Sequence, residues 1–304
     1  MLFPFRVILL LLAPLCALMV GAFVMRLNRV SASIWGQQLV AGLILTVACV
    51  MIGLRQRPSK DGVSQAATFI SAVAALVMLI FTLLHPSVDG VRRWISLGPV
   101  QLHAGFVVLP VLIILAGTVA RSEGSRARDF IGMSIATAAA VLAVQPDASQ
   151  ASAFTVGVMV VFLQRTRASR TEWIAAAACV GASIVAISRP DPLEAVPHVE
   201  GIVSLAASAG RVWVAAAMIA LLLLPIPFVV DSLKHRDHHE GLGLAAYFVI
   251  LCIAAFVAPF PVPLLGYGLS PILGYFVALG WIMRTAAFAT RTTTLKARDS
   301  AHEV

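Results

Sequence analysis

Long apolar runs, separated by short polar connections, make up nearly the whole chain. About 20 apolar residues are needed for a helix to cross the hydrocarbon core of a bilayer. Only helices and closed barrels satisfy their backbone hydrogen bonds there, and runs of this length favour helices. Ten runs almost free of charged residues can be read, at residues 5–25, 34–54, 64–84, 104–120, 130–144, 150–164, 173–188, 212–230, 242–260 and 271–283.

The composition excludes most soluble classes of protein. Of the 304 residues, 60% are hydrophobic and 12% are charged, whereas soluble domains carry about 25% charged residues. A cytosolic enzyme, a disulfide-rich secreted domain and a disordered regulator are therefore excluded. We predict an all-α polytopic membrane protein, with residues 1–290 as one transmembrane helical domain and residues 291–304 as a polar cytoplasmic tail. The first run is longer than a signal-peptide core and is expected to remain as a helix.

Two of the runs, 130–144 and 150–164, are several residues too short for a full crossing. They flank Gln145, Pro146 and Asp147, and short segments around a proline and an acid can form a re-entrant pair. Two crossings are the preferred interpretation, because basic connections lie on both flanks of the pair.

The distribution of basic residues predicts the orientation. The net charge is +8, with 22 Lys and Arg residues. If the N-terminus is cytoplasmic, 16 of these fall in inner connections and 6 in outer ones. The positive-inside rule then places both termini in the cytoplasm. Because these residues lie in short connections between apolar runs, the charge does not indicate a nucleic-acid partner.

Arg92 and Arg93 lie in a predicted outer connection, against the positive-inside rule. Trp94 follows them and suits the membrane interface. Guanidinium groups at this depth bind phosphate well, because their planar forks donate paired hydrogen bonds. An equally weighted interpretation is that they anchor the chain among lipid headgroups.

Two further outer positions carry polar groups of interest. Asp147 follows a short apolar run, and ionisable groups near membrane depth usually face a bundle interior or a cavity. Helix capping by Asp147 or Ser149 is the alternative. Tyr267 lies in a segment rich in Gly and Pro before the last run, where it could serve as an interfacial anchor.

Neither the histidines nor the cysteines predict a metal site. His235 and His239 would share a helix face, but the connection that holds them is interpreted as a solvated inner loop. The four cysteines fall inside apolar runs without zinc-ligand spacing, so we interpret them as small core residues.

Three segments, in order, resemble the signature motifs of the SEDS family, which includes FtsW, RodA and SpoVE. Residues 91–99 resemble the arginine-rich signature between the third and fourth helices. Residues 145–147 match the QPD motif after the fifth helix, and residues 264–271 resemble the last-loop signature. The likeness extends over residues 64–284.

The resemblance implies a bacterial inner-membrane protein of peptidoglycan synthesis, acting in cell division or cell shape. Family members polymerise lipid II on the outer face together with a class B penicillin-binding protein. The implied ligand is a polyprenyl-diphosphate-linked sugar, and a divalent cation at the diphosphate is an implied helper. By position, Arg92, Arg93 and Trp94 would lie near the diphosphate. Asp147 would shape the central cavity, and Tyr267 would belong to the same binding region.

The chain also departs from the family pattern. Phe106 stands where the fourth helix usually carries a carboxylate, and His103 replaces a glutamine. The outer loop that holds the family's catalytic Asp is reduced to residues 189–211. Among its remaining carboxylates Glu200 is the weak candidate for a general base, although none matches the motif.

Three functions stay open at the level of sequence. The chain could be a SEDS-like glycosyltransferase, a catalytically inactive relative that acts as a lipid-binding scaffold or regulator, or a transporter of a lipid-linked precursor. Glycosyl transfer needs a base that accepts the proton of the attacking hydroxyl. Since the segment that supplies this base is missing, we expect weak or absent polymerisation by the isolated chain.

Overall fold

Twelve α-helices, one short 3-10 helix (Thr82–Leu84) and one β-hairpin are the regular elements in the part of the chain that the structure describes. In this computed structural model the described residues are 2–55, 64–86, 89–98, 100–120, 125–165, 168–189 and 191–284. The predicted tail, 291–304, lies outside them. The helices are α1 Leu2–Leu27, α2 Ala32–Arg55, α3 Gln65–Phe81, α4 Ala104–Ala120, α5 Ser125–Val144, α6 Ala148–Leu163, α7 Arg170–Ile187, α8 Ile202–Ala209, α9 Arg211–Leu223, α10 Ile226–Lys234, α11 His239–Val257 and α12 Leu269–Arg284.

Each apolar run of the sequence forms helix over most of its length, so the predicted all-α membrane class is confirmed. Seven helical segments are long and apolar enough to cross a bilayer. One of them, Arg211–Lys234, comprises α9 and α10 in succession. Helices α4, α6 and α12 are apolar but shorter, at 16 or 17 residues. Ten crossings therefore remain a prediction, while the multi-pass helical architecture is established.

Local chemistry sets several helix boundaries. The Ser64 hydroxyl accepts a hydrogen bond from the Ala67 amide and begins α3. Ser169 and Glu172 form a reciprocal capping box at the start of α7. Pro225 separates α9 from α10, since it has no amide hydrogen to continue the helical ladder.

A β-hairpin precedes α4 and was not predicted from the sequence. Strand β1, Trp94–Leu97, pairs antiparallel with β2, Val100–His103, so that Trp94 faces His103. Gly98 turns the chain with a φ of 62°, a left-handed conformation that favours glycine. The hairpin therefore returns the chain to the point where α4 begins.

Helices α4 and α12 approach each other at backbone contact. A Cβ atom on Gly274 would lie 1.9 Å from the Phe106 carbonyl oxygen, so only glycine fits this crossing. The His103 amide donates to the Ser270 hydroxyl at 2.8 Å. These contacts bring the first turns of α4 and α12 together beside the hairpin.

A second charged cluster lies at the opposite end of α5, α6 and α7. The carboxylate of Glu172 is buried and is 3.2 Å from Arg128 Nη2. Arg165 forms an ion pair with the same carboxylate, and the Ser169 amide donates to it at 2.7 Å. Burial and the charge of Arg128 lower the pKa of Arg165 to about 10. The cluster locks three helices together at this end.

Candidate functional site

The guanidinium of Arg93 is the centre of a polar cluster at the hairpin end of the bundle. It is here called the outer cluster, after the side of the membrane on which the basic residues predict it to lie. Its Nε donates to the Gln145 carbonyl oxygen at 3.2 Å, and Nη2 donates to the Pro146 carbonyl oxygen at 2.7 Å. Nη1 donates to Asp191 Oδ2 at 2.7 Å. Arg93 is only 5% exposed. One buried side chain therefore joins the α5–α6 junction to the segment that follows α7.

Asp147 connects the outer cluster to the hairpin. Its Oδ1 accepts hydrogen bonds from the Gln150 amide at 3.1 Å and from the Ser149 hydroxyl at 3.0 Å, which caps α6. Its Oδ2 is 3.0 Å from His103 Nε2 and 3.9 Å from Arg93 Nε. The capping interpretation thus holds, and the same carboxylate faces two basic side chains.

The surroundings of Asp147 favour its ionised form. Burial alone would raise the pKa of this carboxyl group. The contact with His103, the charges of Arg93 and His103 and the Gln150 amide act in the opposite direction and prevail. The pKa of Asp147 therefore lies well below its ordinary value, and the group stays a carboxylate at neutral pH.

Polar atoms continue inward from Asp147 into the bundle. The Tyr247 hydroxyl donates to Gln150 Oε1 at 2.7 Å, and both residues are fully buried. Gln145 Nε2 contacts the Thr82 hydroxyl. Within the described chain, Gln145 Oε1, Gln150 Nε2 and His103 Nδ1 lack a hydrogen-bond partner. Buried polar atoms of this kind are normally satisfied by water or by a ligand.

Arg92 and Arg93 differ in exposure although they are adjacent in sequence. Arg92 is exposed, and its Nη1 donates to the Leu83 carbonyl oxygen at 2.9 Å. Every nitrogen of the Arg93 guanidinium has an acceptor inside the protein. Trp94 is half-buried and its ring meets the His103 ring edge-on, with 5.4 Å between centroids. Arg92 is thus the member of the pair with its charge at the surface.

Tyr267 and Glu200 lie beside the segment that follows α7, which also holds Asp191, and not at the Arg93 guanidinium. The Tyr267 hydroxyl donates to Gln37 Oε1 at 2.8 Å, and its amide donates to the His198 carbonyl oxygen at 2.8 Å. Glu200 Oε2 accepts a hydrogen bond from the Val196 amide at 2.8 Å. Burial raises the pKa of Glu200, and the nearby charge of Asp191 adds to this.

At the opposite end, the connection interpreted as a solvated loop is partly buried. His238 Nδ1 lies 3.1 Å from Asp231 Oδ2, and that aspartate is 4% exposed. Glu240 is fully buried, and its Oε1 accepts a hydrogen bond from Trp281 Nε1 at 3.3 Å. The first turn of α11 packs against Gly117 of α4, which buries Glu240. The expectation of a solvated loop over residues 235–240 is therefore wrong for Glu240, whereas Asp231 lies outside that loop, in α10.

The described residues offer little for a divalent cation. Nowhere in the described ranges do three His, Cys, Asp or Glu side chains lie close enough to hold a metal ion. Asp147 and Asp191 both contact the Arg93 guanidinium, whose charge already serves as their counter-ion. The described side chains therefore do not form a cation site.

The fold and the outer cluster define a class of multi-pass membrane protein with a buried polar site at one end of a helical bundle. Residues 2–232 match the family model described as "FTSW_RODA_SPOVE: Cell cycle protein". Because this match covers well over half of the chain, the protein belongs to the FtsW/RodA/SpoVE family. A search of curated protein sequences gave no match.

Solved structures of low sequence identity share the fold. The chain is similar to the rod shape determining protein RodA of Thermus thermophilus, with 20% identity and a TM-score of 0.67 over 90% of this chain and 94% of that one. A point mutant of that protein gives a TM-score of 0.68 at 20% identity, over 90% and 95% of the two chains. A chain from "Structural coordination of polymerization and crosslinking by a peptidoglycan synthase complex" gives 0.63 at 19% identity, over 90% and 96%.

Several members of the outer cluster were not predicted as site residues. Asp191 lies in the shortened outer loop, where the sequence predicts only Glu200 as a candidate, and His103 is recognisable in the sequence only as a departure from the family motif. Gln150 begins one apolar run and Tyr247 lies within another, and a polar group in such a run is the one sequence signal that could have found them. Ser270 carries no comparable signal, because a serine near a helix start is usually only a cap.

Proposed function

We propose that the protein binds a polyprenyl-diphosphate-linked sugar of the lipid II type at the outer cluster. Membership of the FtsW/RodA/SpoVE family supports a role in peptidoglycan synthesis. The observation that supports binding of this ligand is that the two adjacent arginines have different roles. Arg93 holds the cluster together from inside, and Arg92 presents a charge at the surface beside it.

Electrostatics at this end of the bundle suit an anionic ligand. Helices α4, α6 and α12 all begin here, and helix N-termini carry partial positive charge. The exposed Arg92 guanidinium adds a full charge and a planar fork that matches phosphate oxygens. Trp94 places an aromatic ring where a lipid-linked ligand would enter from the membrane interface. Asp147 keeps its carboxylate occupied by internal contacts and acts as a positioning residue.

The proposed partner is a class B penicillin-binding protein. One structural neighbour comes from work on a peptidoglycan synthase complex, which supports an assembly of this kind for the present chain. Polymerisation of the bound sugars and cross-linking of the product would then be divided between the two proteins.

Lipid II binding by Arg92→Gln tests the ligand proposal. Loss of one charge-assisted contact, worth about 1.5–3 kcal/mol, should weaken the affinity of purified protein for labelled lipid II by about tenfold or more. Arg211→Gln, at another exposed outer arginine, is the matched control and should bind normally. Unchanged binding by Arg92→Gln and by the double variant with Arg93→Gln, both correctly folded, would leave only the headgroup-anchor role.

Glycosyl transfer by this chain is a second candidate function, supported by the raised pKa of the Glu200 carboxyl group. A base works best when its pKa approaches the working pH, and burial raises the pKa of this carboxyl group. Glu200 also lies in the shortened outer segment that remains from the family's large loop. In this reaction the acceptor hydroxyl attacks the sugar carbon, the diphosphate leaves, and the carboxylate takes the hydroxyl proton.

Polymerisation of labelled lipid II, with and without a class B penicillin-binding protein, tests this second function. If Glu200 is the base, Glu200→Gln should lose about 10²–10⁴-fold in rate. Activity of the wild type should also rise with pH through the raised pKa, because the carboxylate is the active form. The rate of Asp147→Asn, measured in the same assay, shows how much activity depends on the positioning role of Asp147. Inactivity of the wild type under all conditions would favour the lipid-binding role alone.

A further inference from the structure

A large cavity lies at the end of the bundle opposite the outer cluster. Its volume is about 620 Å³, within the range typical of ligand pockets. The walls come from the C-terminal halves of α2, α4 and α12 and from the N-terminal half of α3. Since α3 runs opposite to the other three, all four segments lie at the end where α2 and α12 finish. The cavity is therefore separate from the proposed sugar-binding site.

Residues of α2 and of α3 both line the cavity, so it lies between these two helices. These helices are consecutive in the chain, yet within the described residues they share no extended packing contact, whereas α2 packs on α1 and α3 packs on α4. The α2 side of the cavity is closed against α12, where Cys49 Sγ lies 3.4 Å from the Phe276 carbonyl oxygen. A chain-like apolar ligand could therefore enter sideways from the bilayer.

The lining is apolar except at one end. Leu45, Val111, Leu115 and Val277 line the body of the cavity, and Trp281 and Arg284 lie where α12 ends. This distribution of polarity fits an amphipathic ligand with an apolar tail and a single polar head.

The polar end is positively charged and is held in place. The Arg284 guanidinium lies over the Trp281 ring, 5.9 Å from its centroid. Trp281 is in turn fixed by its hydrogen bond to the buried Glu240. No carboxylate among the described residues forms an ion pair with Arg284. A phosphate group would balance the positive charge at this end of the cavity.

We propose that this cavity binds one anionic glycerophospholipid, with an acyl chain between α2 and α3 and its phosphate at Arg284. Basic pockets between transmembrane helices are recognised sites for anionic headgroups. The lipid would fill the space between α2–α12 and α3–α4, and so stabilise the arrangement of α4 on which the outer cluster depends. This site is independent of the sugar-binding proposal.

Native mass spectrometry of the full chain, released from nanodiscs, tests the proposal. The nanodiscs contain phosphatidylcholine with or without phosphatidylglycerol. We expect one phosphatidylglycerol to be retained in preference to phosphatidylcholine. Arg284→Gln should reduce this preference by about fivefold, the worth of one basic side chain near anionic lipid. Arg211→Gln, an exposed arginine away from the cavity, is the matched control and should retain the lipid.

Two cavity-filling variants separate tail binding from headgroup attraction. Val277→Phe on α12 and Ser71→Phe on α3 add volume from opposite walls. Each should lower retention of both phospholipids while leaving the thermal unfolding midpoint without added lipid close to that of the wild type. Equal retention of both lipids, or unchanged retention in Arg284→Gln and in both filled variants, would overturn the proposal. Displacement by polyprenyl phosphate but not by phosphatidylglycerol would also overturn it, and would assign the cavity to a substrate tail.

Discussion

At the scale of single residues, burial distinguishes side chains that the sequence treats alike. Arg92 and Arg93 are adjacent and carry the same charge, but the alternation of a strand-like segment sends one outward and the other inward. A motif resemblance placed both near a diphosphate. The three acceptors of Arg93 come from residues 52 to 98 positions away, and local pattern cannot reveal partners at such separations. The general region of the site was predictable, whereas its internal contacts were not.

Asp147 gives the protein a pH-dependent stability that can be measured. Its pKa is lowered in the folded state, so its stabilising contribution is present above its ordinary pKa of about 3.9 and is lost as the pH falls further. Asp147→Asn leaves Arg93 and His103 without this carboxylate, which should cost about 3–5 kcal/mol at neutral pH.

Thermal unfolding in detergent from neutral pH to about pH 3 checks this expectation. The difference between wild type and Asp147→Asn should be largest at neutral pH and should shrink on acidification. Asp89→Asn, an exposed carboxylate in the connection before the hairpin, is the control and should show little difference at any pH. A gap that stays constant with pH would contradict the assignment.

At the scale of elements, hydrophobic runs predicted helices well and the hairpin not at all. Each helix of 16 or more residues has an apolar run long enough to stand out from its connections. The strands have only four residues each, too few for alternation to be recognised. Helix α8 has eight residues and was read as part of a connection. Short elements that depend on tertiary contacts leave weak local signals.

The hairpin turn depends on Gly98, which suggests a second stability prediction. Its φ of 62° is a conformation that costs a residue with a side chain about 1–2 kcal/mol. Gly98→Val should loosen the hairpin, and because Arg93 and His103 flank its strands, lipid II affinity should fall with it. Ser96→Val, an exposed strand position without such strain, is the control.

Hydrogen exchange of residues 94–103 provides the measurement for this variant. Faster exchange in Gly98→Val than in Ser96→Val is the expected result. Equal exchange in the two variants would show that the turn tolerates a β-branched residue and that the glycine is not required there.

At the scale of the whole molecule, the orientation in the membrane is a prediction that remains to be tested. The basic residues predict that the hairpin faces outward and that the connection between α4 and α5 faces the cytoplasm. Helix α4 separates these two points, so they lie at opposite ends of the bundle. This geometry allows one experiment with two reporters.

Two separate variants, Ser96→Cys and Ser125→Cys, each add one cysteine to the chain and provide those reporters in intact cells. An impermeant thiol reagent should label the first and not the second. The unmodified chain, whose four native cysteines are free and buried or half-buried, sets the background. The reverse labelling pattern would mean that the topology is inverted.

The cluster around Glu172 has a consequence for how the protein is made. Synthesis proceeds from the N-terminus, so Arg128 and Arg165 reach the membrane before Glu172 does. Until α7 is inserted, the Glu172 carboxylate is absent, and the ion pairs by which it joins α5 and α6 cannot form. Biogenesis of this part of the bundle is therefore a three-helix event. A nascent chain halted after α6 would lack the carboxylate that binds both arginines in the finished bundle, a feature by which membrane quality control could recognise an unfinished molecule.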